Sequence, residues 1–172
     1  YTGALTVTAT IAEMAGAVMV LTGGSGSDTL TVDLATADNL VAADLATITN
    51  FETFKTTDDN VTTLTLSEAN VTAGNTLTVN ATSMLTSVLT FSGAAETSGS
   101  IDLSVAGTGD HVVTSLGNGN DTFTSTGTGA ITVSAALAGN NTITTGSGVD
   151  GITGGTGDDT ISSGSGIDTI TF

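Results

Sequence analysis

The chain has 172 residues, one basic residue (Lys55) and a formal net charge of −16. This balance excludes nucleic acid as a partner, because phosphate contacts need lysine and arginine, and it disfavours anionic membrane surfaces. The chain is not a disordered polyelectrolyte either, since only 10% of its residues are charged and 38% are hydrophobic. It has no cysteine and no apolar stretch long enough for a transmembrane helix. The length suits one domain or one continuous solenoid.

Residues 1–60 are predicted to form an N-terminal β segment. Its apolar residues alternate with threonine, which favours strand over helix because it is β-branched. Short strands are predicted at 5–10, 17–21 and 29–32. Residues 23–31 carry a glycine-rich motif, Gly-Gly-Ser-Gly-Ser-Asp-Thr-Leu-Thr, whose aspartate is Asp28. The alanine-rich stretch 35–46 breaks the β pattern and predicts a short helix or a cap.

Residues 61–135 are predicted to form a degenerate β-solenoid. Strand-like runs of apolar residues alternating with threonine or serine recur about every ten to thirteen residues. One copy of the motif recurs at 116–124, with Asp121 as its aspartate. Two decayed copies place His111 and Ile131 where the aspartate would stand. His111 is a candidate metal ligand by its position, but we interpret it as a plain surface residue.

Residues 136–172 contain four nonapeptides in tandem and in phase. A fixed period of this kind is typical of a solenoid in which each coil stacks on the one before it. The sixth position holds Asn141, Asp150, Asp159 and Asp168. The eighth position holds Ile143, Ile152, Ile161 and Ile170, which are predicted to point inward alternately toward two opposed faces. The fold prediction is an all-β, right-handed parallel β-roll or β-helix solenoid, regular at its C-terminal end and degenerate in the middle.

The nonapeptide G-G-x-G-x-D-x-U-x predicts calcium binding. Two nonapeptides make one coil, so Asp150 stacks on Asp168 at the strand spacing of about 4.8 Å. Bare carboxylates at that distance repel, and calcium, which takes about 6–8 oxygen ligands, relieves the repulsion. The turn carbonyls predicted to help are those of Gly146, Gly148, Gly155, Gly157, Gly164 and Gly166. The side chains predicted to bind the ion are those of Asp150, Asp159 and Asp168, together with Asn141, which stacks on Asp159. The isolated residues Asp28 and Asp121 are weaker candidates, and a role limited to the turn stays open for them.

No catalytic constellation stands out, so we do not expect an enzyme. Four glutamates lie at no matched spacing, and no histidine, serine or lysine is arranged beside them for acid–base chemistry. We therefore interpret them as solvated. They are Glu13, Glu52, Glu68 and Glu96.

These motifs resemble those of the RTX, or haemolysin-type calcium-binding, family of secreted bacterial proteins. The resemblance is specific over 136–172 and weaker at 23–31 and 116–124. The motif at 23–31, the segment Ile-Thr-Asn-Phe-Glu-Thr-Phe at 48–54 and the threonine-rich, lysine-poor strands look like bacterial S-layer proteins of the Caulobacter type. The resemblance implies type I secretion, calcium-dependent folding outside the cell, assembly with copies of itself and anchoring to cell-surface polysaccharide.

Three functions fit these observations. The first is a self-assembling structural protein of the bacterial cell surface, an S-layer or an extracellular fibre. The second is a calcium-stabilised adhesin or ice-binding module that displays outward rows of threonine. The third is the secretion domain of a larger toxin, lipase or protease. The chain starts at Tyr1 rather than Met, and Phe172 begins a further repeat, so we expect a fragment or processed product whose natural chain continues.

Overall fold

The computed structural model of the chain describes residues 2–15, 19–33, 38–135 and 137–172. These residues form a solenoid in which all strand pairing is parallel. The chain winds around a common core, and from residue 29 onward it adds strands alternately to two large sheets, apart from one strand of a third, two-stranded sheet. The predicted all-β parallel solenoid is therefore confirmed.

The first sheet has eight strands, placed side by side in chain order. They are β1 (Thr6–Thr10), β3 (Thr29–Asp33), β6 (Thr53–Thr56), β8 (Thr76–Ala81), β10 (Ser100–Val105), β12 (Thr122–Ser125), β14 (Thr142–Thr144) and β16 (Thr160–Ser162).

The second sheet has seven strands, also in chain order. They are β4 (Asp38–Leu40), β7 (Val61–Thr65), β9 (Thr90–Ser92), β11 (Val112–Ser115), β13 (Thr132–Ser134), β15 (Gly151–Thr153) and β17 (Thr169–Thr171). A two-stranded sheet joins β2 (Leu21–Thr22) to β5 (Ile48–Thr49).

Each strand points apolar residues into the core and small polar residues outward, because side chains alternate between the two faces of a strand. The register stacks the inward residues into one continuous row on each sheet. On the eight-stranded sheet the row is Val7, Leu30, Phe54, Val79, Leu103, Phe123, Ile143 and Ile161. On the seven-stranded sheet it is Leu40, Leu64, Phe91, Val113, Val133, Ile152 and Ile170.

The predicted split of the four isoleucines between two faces is confirmed. Ile143 pairs with Ile161 on one sheet, and Ile152 pairs with Ile170 on the other. Ile143 and Ile152 are buried, whereas Ile161 is half-buried and Ile170 is 39% exposed. Burial of these side chains thus decreases along the last two coils.

The coils shorten from the N-terminal to the C-terminal end. Hydrogen bonds between equivalent positions of adjacent coils span 23 and 24 residues at the first coils and 20 residues in the middle. They span 18 residues, two nonapeptides, at the C-terminal end. The shortest and most regular coils are those that the repeat pattern marks.

The short non-strand elements differ in extent from the prediction. The helix or cap predicted at 35–46 is limited to α2 (Ala42–Leu45), preceded by β4, and residues 34–37 lie outside the described ranges. The Asp44 carboxylate accepts a hydrogen bond from the Val41 N–H at 3.1 Å, which starts the helix. The strand predicted at 17–21 falls partly on 16–18, which are also outside the described ranges, and β2 begins at 21.

Two further helical segments lie beside the coils, α1 (Ile11–Ala15) and a 3₁₀ turn (Glu68–Asn70). In the part of the chain that the structure describes, none of the helices has the length and apolar character needed to cross a bilayer.

Candidate metal centre

Most of the polar side chains that the sequence singles out occupy one recurrent position, which occurs once before a strand of each large sheet and therefore twice in a coil. It lies two residues before the inward apolar residue of a strand and is termed the capping position. In the C-terminal coils, the Asn141 N–H donates to Asp159 Oδ1 at 2.8 Å, and the Asp150 N–H donates to Asp168 Oδ1 at 3.0 Å. Each capping side chain therefore binds the backbone of the capping residue one coil earlier, and the predicted stacking of Asp150 with Asp168 is confirmed.

The same bond recurs upstream on the eight-stranded sheet. The Asp28 N–H donates to Glu52 Oε2 at 2.6 Å, and Glu52 is half-buried, so the interpretation of Glu52 as solvated is wrong. The longer glutamate side chain reaches the backbone N–H that an aspartate reaches in the regular coils. The other bonds of this type on this sheet are Leu5 N–H to Asp28 Oδ1 (2.7 Å), Ile101 N–H to Asp121 Oδ1 (2.8 Å) and Asp121 N–H to Asn141 Oδ1 (3.0 Å).

On the seven-stranded sheet, His111 occupies the capping position. Its Nδ1 accepts a hydrogen bond from the Leu89 N–H at 3.1 Å, and its Nε2 lies 3.0 Å from the Ala106 carbonyl oxygen, to which it donates. The side chain is only 2% exposed, so the interpretation of His111 as a surface residue is wrong. A neutral imidazole offers one acceptor nitrogen, and this nitrogen replaces the aspartate oxygen of the regular coils.

These bonds give one oxygen of each capping carboxylate a structural task that needs no metal. A backbone N–H left unpaired in a buried turn costs free energy comparable to a lost hydrogen bond, and the capping side chain removes that cost. The surroundings of the second oxygen therefore decide whether a capping aspartate is suited to bind a cation.

At Asp28 both oxygens are used by the protein. Oδ1 accepts from the Leu5 N–H at 2.7 Å, and Oδ2 accepts from the Gly24 N–H. The side chain is fully buried. The turn is tight, because a Cβ at Gly23 would lie 1.7 Å from the Asn50 carbonyl oxygen and 2.6 Å from Asp28 Oδ2. These contacts favour a role limited to the turn, and metal binding by Asp28 stays a prediction.

At Asp150 the second oxygen has no protein partner. Oδ1 accepts from the Ile131 N–H at 2.8 Å, whereas Oδ2 is buried. Among the described residues, three buried side-chain oxygens lack a hydrogen-bond partner: Glu96 Oε2, Asp121 Oδ2 and Asp150 Oδ2. A buried, unpartnered anionic oxygen is costly unless a cation or a donor compensates it. The surroundings of Asp150 therefore suit it to act as a calcium ligand.

Asn141 shows how the protein fills the same position when no carboxylate is present. Its Nδ2 donates to the carbonyl oxygens of Gly139 and Gly154, each at 3.4 Å. The amide thus directs positive hydrogens at turn carbonyls, where an aspartate would direct a second negative oxygen. Metal binding by Asn141 stays a prediction, and its amide supplies part of what a cation would supply.

The glycines of the predicted site place backbone carbonyls between the stacked turns. A Cβ at Gly164 would lie 1.8 Å from the Gly146 carbonyl oxygen, and a Cβ at Gly166 would lie 1.9 Å from that of Gly148. Gly164 and Gly166 both have positive φ, 71° and 146° respectively. In the alternate turns, a Cβ at Gly157 would lie 2.2 Å from the Gly139 carbonyl oxygen. Only glycine permits this close approach of one turn to the carbonyl oxygens of the turn one coil earlier.

The remaining glycine and aspartates complete this arrangement. Gly155 has φ of 93°, and a Cβ there would lie 2.3 Å from the Ala135 carbonyl oxygen. Asp159 is half-buried, and its Oδ2 lies against Gly154, 2.8 Å from where a Cβ would stand. Asp168 is likewise half-buried. The turns thus combine carboxylate and carbonyl oxygens, which are the ligands that calcium prefers.

Within the described ranges, no three side chains of histidine, aspartate or glutamate gather around one point. A cation held here would therefore depend on backbone carbonyls together with few carboxylates. That donor set suits a hard cation such as calcium better than zinc, which selects thiolate and imidazole ligands.

Of the four glutamates interpreted as solvated, two stay on the surface as predicted, whereas Glu96, like Glu52, does not. Glu13 and Glu68 are exposed, whereas Glu96 is fully buried in the turn between β9 and β10, so its interpretation as solvated is wrong. Burial raises the pKa of the Asp121 carboxyl to about 6, the Ile101 N–H opposes the rise, and the charge of Glu96 adds to it. The sequence offered one signal for Glu96, since glycines flank it at 93 and 99.

Comparison with known proteins supports the repeat assignment for part of the chain. A family described as the RTX calcium-binding nonapeptide repeat matches residues 20–33 and 136–170, in four copies. Residues 96–121 lie outside both matched segments. Neither the curated proteins nor the solved structures gave a significant match. The chain therefore carries RTX repeats, which bind calcium, are typical of secreted proteins and are typically structural rather than catalytic.

Proposed function

We propose that this chain is part of a calcium-dependent structural protein of the bacterial cell surface that assembles with copies of itself into an S-layer or an extracellular fibre. The observation that carries the proposal is the outer face of the eight-stranded sheet. This face is long, parallel and poor in charge, on a chain whose net charge is −16.

Two rows of small polar residues run along that face. The first row is Thr6, Thr29, Thr53, Thr78, Asp102, Thr122, Thr142 and Thr160. The second row is Thr8, Thr31, Lys55, Asn80, Ser104, Thr124, Thr144 and Ser162. Each row contains one charged residue, so lateral contact along this face meets little electrostatic repulsion.

Acidic residues are instead concentrated in the turns and at the capping positions. In low calcium, this charge keeps separate chains apart. Calcium bound in the turns offsets it and fixes the geometry of the short coils. Lateral contact between the threonine faces is then favoured, and anchoring to a surface polysaccharide would orient the assembly on the cell.

Light scattering during a calcium titration tests the proposal. We expect monomers in chelator and large particles at millimolar calcium, with a much weaker response to magnesium, which holds its waters and demands a tighter octahedron. Particles that stay monomeric across the titration, while calcium binding is demonstrated by calorimetry, contradict assembly but not calcium binding.

A pair of charge substitutions locates the contact face. Thr122→Lys with Thr142→Lys places two cations in the first row without touching the core, since both side chains point outward. We expect this variant to bind calcium and keep its melting temperature within a few degrees but to assemble poorly. Thr132→Lys with Thr169→Lys, which adds two cations to the seven-stranded sheet, is the matched control and should assemble normally. Equal assembly of both variants would rule out the eight-stranded face.

The aligned threonine rows also favour a second function, that of an adhesin or ice-binding module. Regular threonine spacing along a parallel sheet can order water or contact a repetitive surface. Thermal hysteresis and ice-crystal shaping by the calcium-loaded monomer would support this function. Their absence, together with calcium-dependent particles, would support the structural one.

A further inference from the structure

We propose that Glu96 and Asp121 form a second kind of calcium site, located between two stacked turns in the middle of the solenoid. The site lies outside the segments that match the repeat family, and Glu96 belongs to no nonapeptide. The inference rests on the calcium dependence in the proposed function, and it extends that dependence to coils that the repeat pattern does not mark.

The two turns are in direct backbone contact. The first, residues 93–99, leads into β10, and the second, residues 116–121, leads into β12. The Asn118 N–H donates to the Glu96 carbonyl oxygen at 3.0 Å. A Cβ at Gly119 would lie 2.1 Å from the Gly99 carbonyl oxygen. Side chains that point between these turns are therefore enclosed by backbone from two coils.

Each carboxylate is fixed through one of its two oxygens. Glu96 Oε1 accepts from the Ser98 N–H at 2.7 Å and from the Gly99 N–H at 2.6 Å. Asp121 Oδ1 accepts from the Ile101 N–H at 2.8 Å. The three donors lie within four consecutive residues, so the two carboxylates are held beside the same short segment.

The second oxygen of each carboxylate is buried and has no partner. Glu96 is 0% exposed and Asp121 is 2% exposed, and the unpartnered atoms are Glu96 Oε2 and Asp121 Oδ2. Lys55, the only lysine or arginine in the chain, is exposed on β6 and does not serve this site. His111 is used by Leu89 and Ala106 on the other sheet. Compensation for two adjacent buried charges must therefore come from outside the chain.

The surrounding donors favour calcium. A Cβ at Gly117 would lie 2.9 Å from the Gly93 carbonyl oxygen and 3.1 Å from that of Glu96, so main-chain oxygens of the first turn lie against the backbone of the second turn. The set contains only oxygen, mixes carboxylate with carbonyl and follows an irregular turn. Calcium accepts such a set, whereas magnesium requires a near-ideal octahedron and zinc prefers sulfur or nitrogen.

Glu96 supplies the carboxylate that the capping position does not supply in this coil. The capping position one coil before Asp121 is Ile101, whose side chain is in the core. The regular repeat would supply a second carboxylate from the capping position, and here the turn supplies it instead. Cation binding at this point would link the coil that ends in β10 to the coil that ends in β12.

Counting bound calcium per chain by native mass spectrometry tests the proposal on the full 172-residue chain. Glu96→Gln and Asp121→Asn each replace an unpartnered oxygen by an amide, and we expect each variant to bind one ion fewer than the wild type. Glu68→Gln is the matched control, because Glu68 is exposed and accepts hydrogen bonds from Thr97, which lies in the same turn as Glu96. It should bind as many ions as the wild type.

The outcomes separate this site from the repeat sites. Asp150→Asn should lose calcium from the C-terminal coils and retain the ion at Glu96. If Glu96→Gln and Asp121→Asn bind as many ions as the wild type, the pair holds a proton instead and the proposal is overturned, while calcium binding by the repeats stands. A wild-type chain that binds no calcium overturns both this site and the proposed function.

A measurement on the wild type covers the case in which a variant fails to fold. The Ile101 and Gly99 amides donate to the two carboxylates, so their NMR signals report on this site directly. Calcium should shift both signals during a titration. Signals that do not move at calcium concentrations that saturate the C-terminal coils would overturn the proposal.

Discussion

The first coils and the last coils close their turns by different means. The first coils span 23 and 24 residues, and Asp28 there receives N–H donors on both carboxylate oxygens. The last coils span 18 residues, their turns are rich in glycine, and Asp150 keeps one buried oxygen without a partner. A longer coil has enough backbone to supply its own donors. A coil of two nonapeptides brings acceptors together and leaves the positive charge to a cation.

Removal of calcium should have the largest effect and should separate the two regions. Each site occupied at a hundred times its dissociation constant contributes about 2.7 kcal/mol, so loss of several sites rivals the stability of a typical domain. We expect chelator to abolish protection from hydrogen exchange over 137–172 while residues 19–33 keep theirs. Uniform loss of protection along the chain would show that the two regions do not differ.

Core truncation in the C-terminal coils should come next in size. Ile143 is fully buried between Phe123 and Ile161, and Ile143→Ala should lower the free energy of unfolding by about 2–5 kcal/mol. Ile170→Ala is the control, and its effect should be smaller because Ile170 is 39% exposed. Urea unfolding in saturating calcium measures both. Equal losses would contradict the burial gradient along the last coils.

An amide at position 150 should make this C-terminal coil less dependent on calcium. Asp150→Asn should lose the calcium contribution of that site, about 2.7 kcal/mol at a hundred times the dissociation constant. The variant should be more stable than the wild type in chelator, since an amide can donate to turn carbonyls as Asn141 does. Melting temperatures with and without calcium measure the two effects. Destabilisation in both conditions would contradict the role assigned to the unpartnered oxygen.

The smallest effect should be found at the N-terminal motif. Asp28→Asn replaces one acceptor by a donor that faces the Gly24 N–H or the Leu5 N–H. We expect this change to lower the free energy of unfolding by about 1–3 kcal/mol. The loss should be the same in calcium and in chelator, because protein donors occupy both oxygens. A loss seen only in calcium would show that Asp28 binds the metal after all.

The sequence predicted the fold well because period and alternation are local signals. The in-phase isoleucines and aspartates predicted coils of two nonapeptides each, and the structure accordingly places the Asp168 carboxylate against the backbone N–H of Asp150. The capping residues of the longer coils could not be found in this way. Glu52 and His111 replace aspartate with different side chains after turns of different length, so no fixed motif marks them.

Glu96 was missed for a related reason. It comes from within a turn, five residues before the capping position of its coil, and its burial depends on a turn more than twenty residues later in the chain. The flanking glycines at 93 and 99 mark a turn there, but a single sequence contains no signal for the contact between the two turns. The sequence predicts a residue's place when a fixed spacing along the chain corresponds to stacking of equivalent residues in space. It does not predict acidic residues whose position depends on contacts between turns of unequal length.

The hydrogen bonds at the capping positions also give the rod a direction. In every such pair the later coil contributes the side-chain acceptor and the earlier coil contributes the backbone donor. The two ends of a stack of these coils are therefore chemically unlike. Two rods can continue this pattern across a junction only when the C-terminal end of one meets the N-terminal end of the other. Such heterologous contacts do not close on themselves by two-fold symmetry and instead propagate as open, polar filaments.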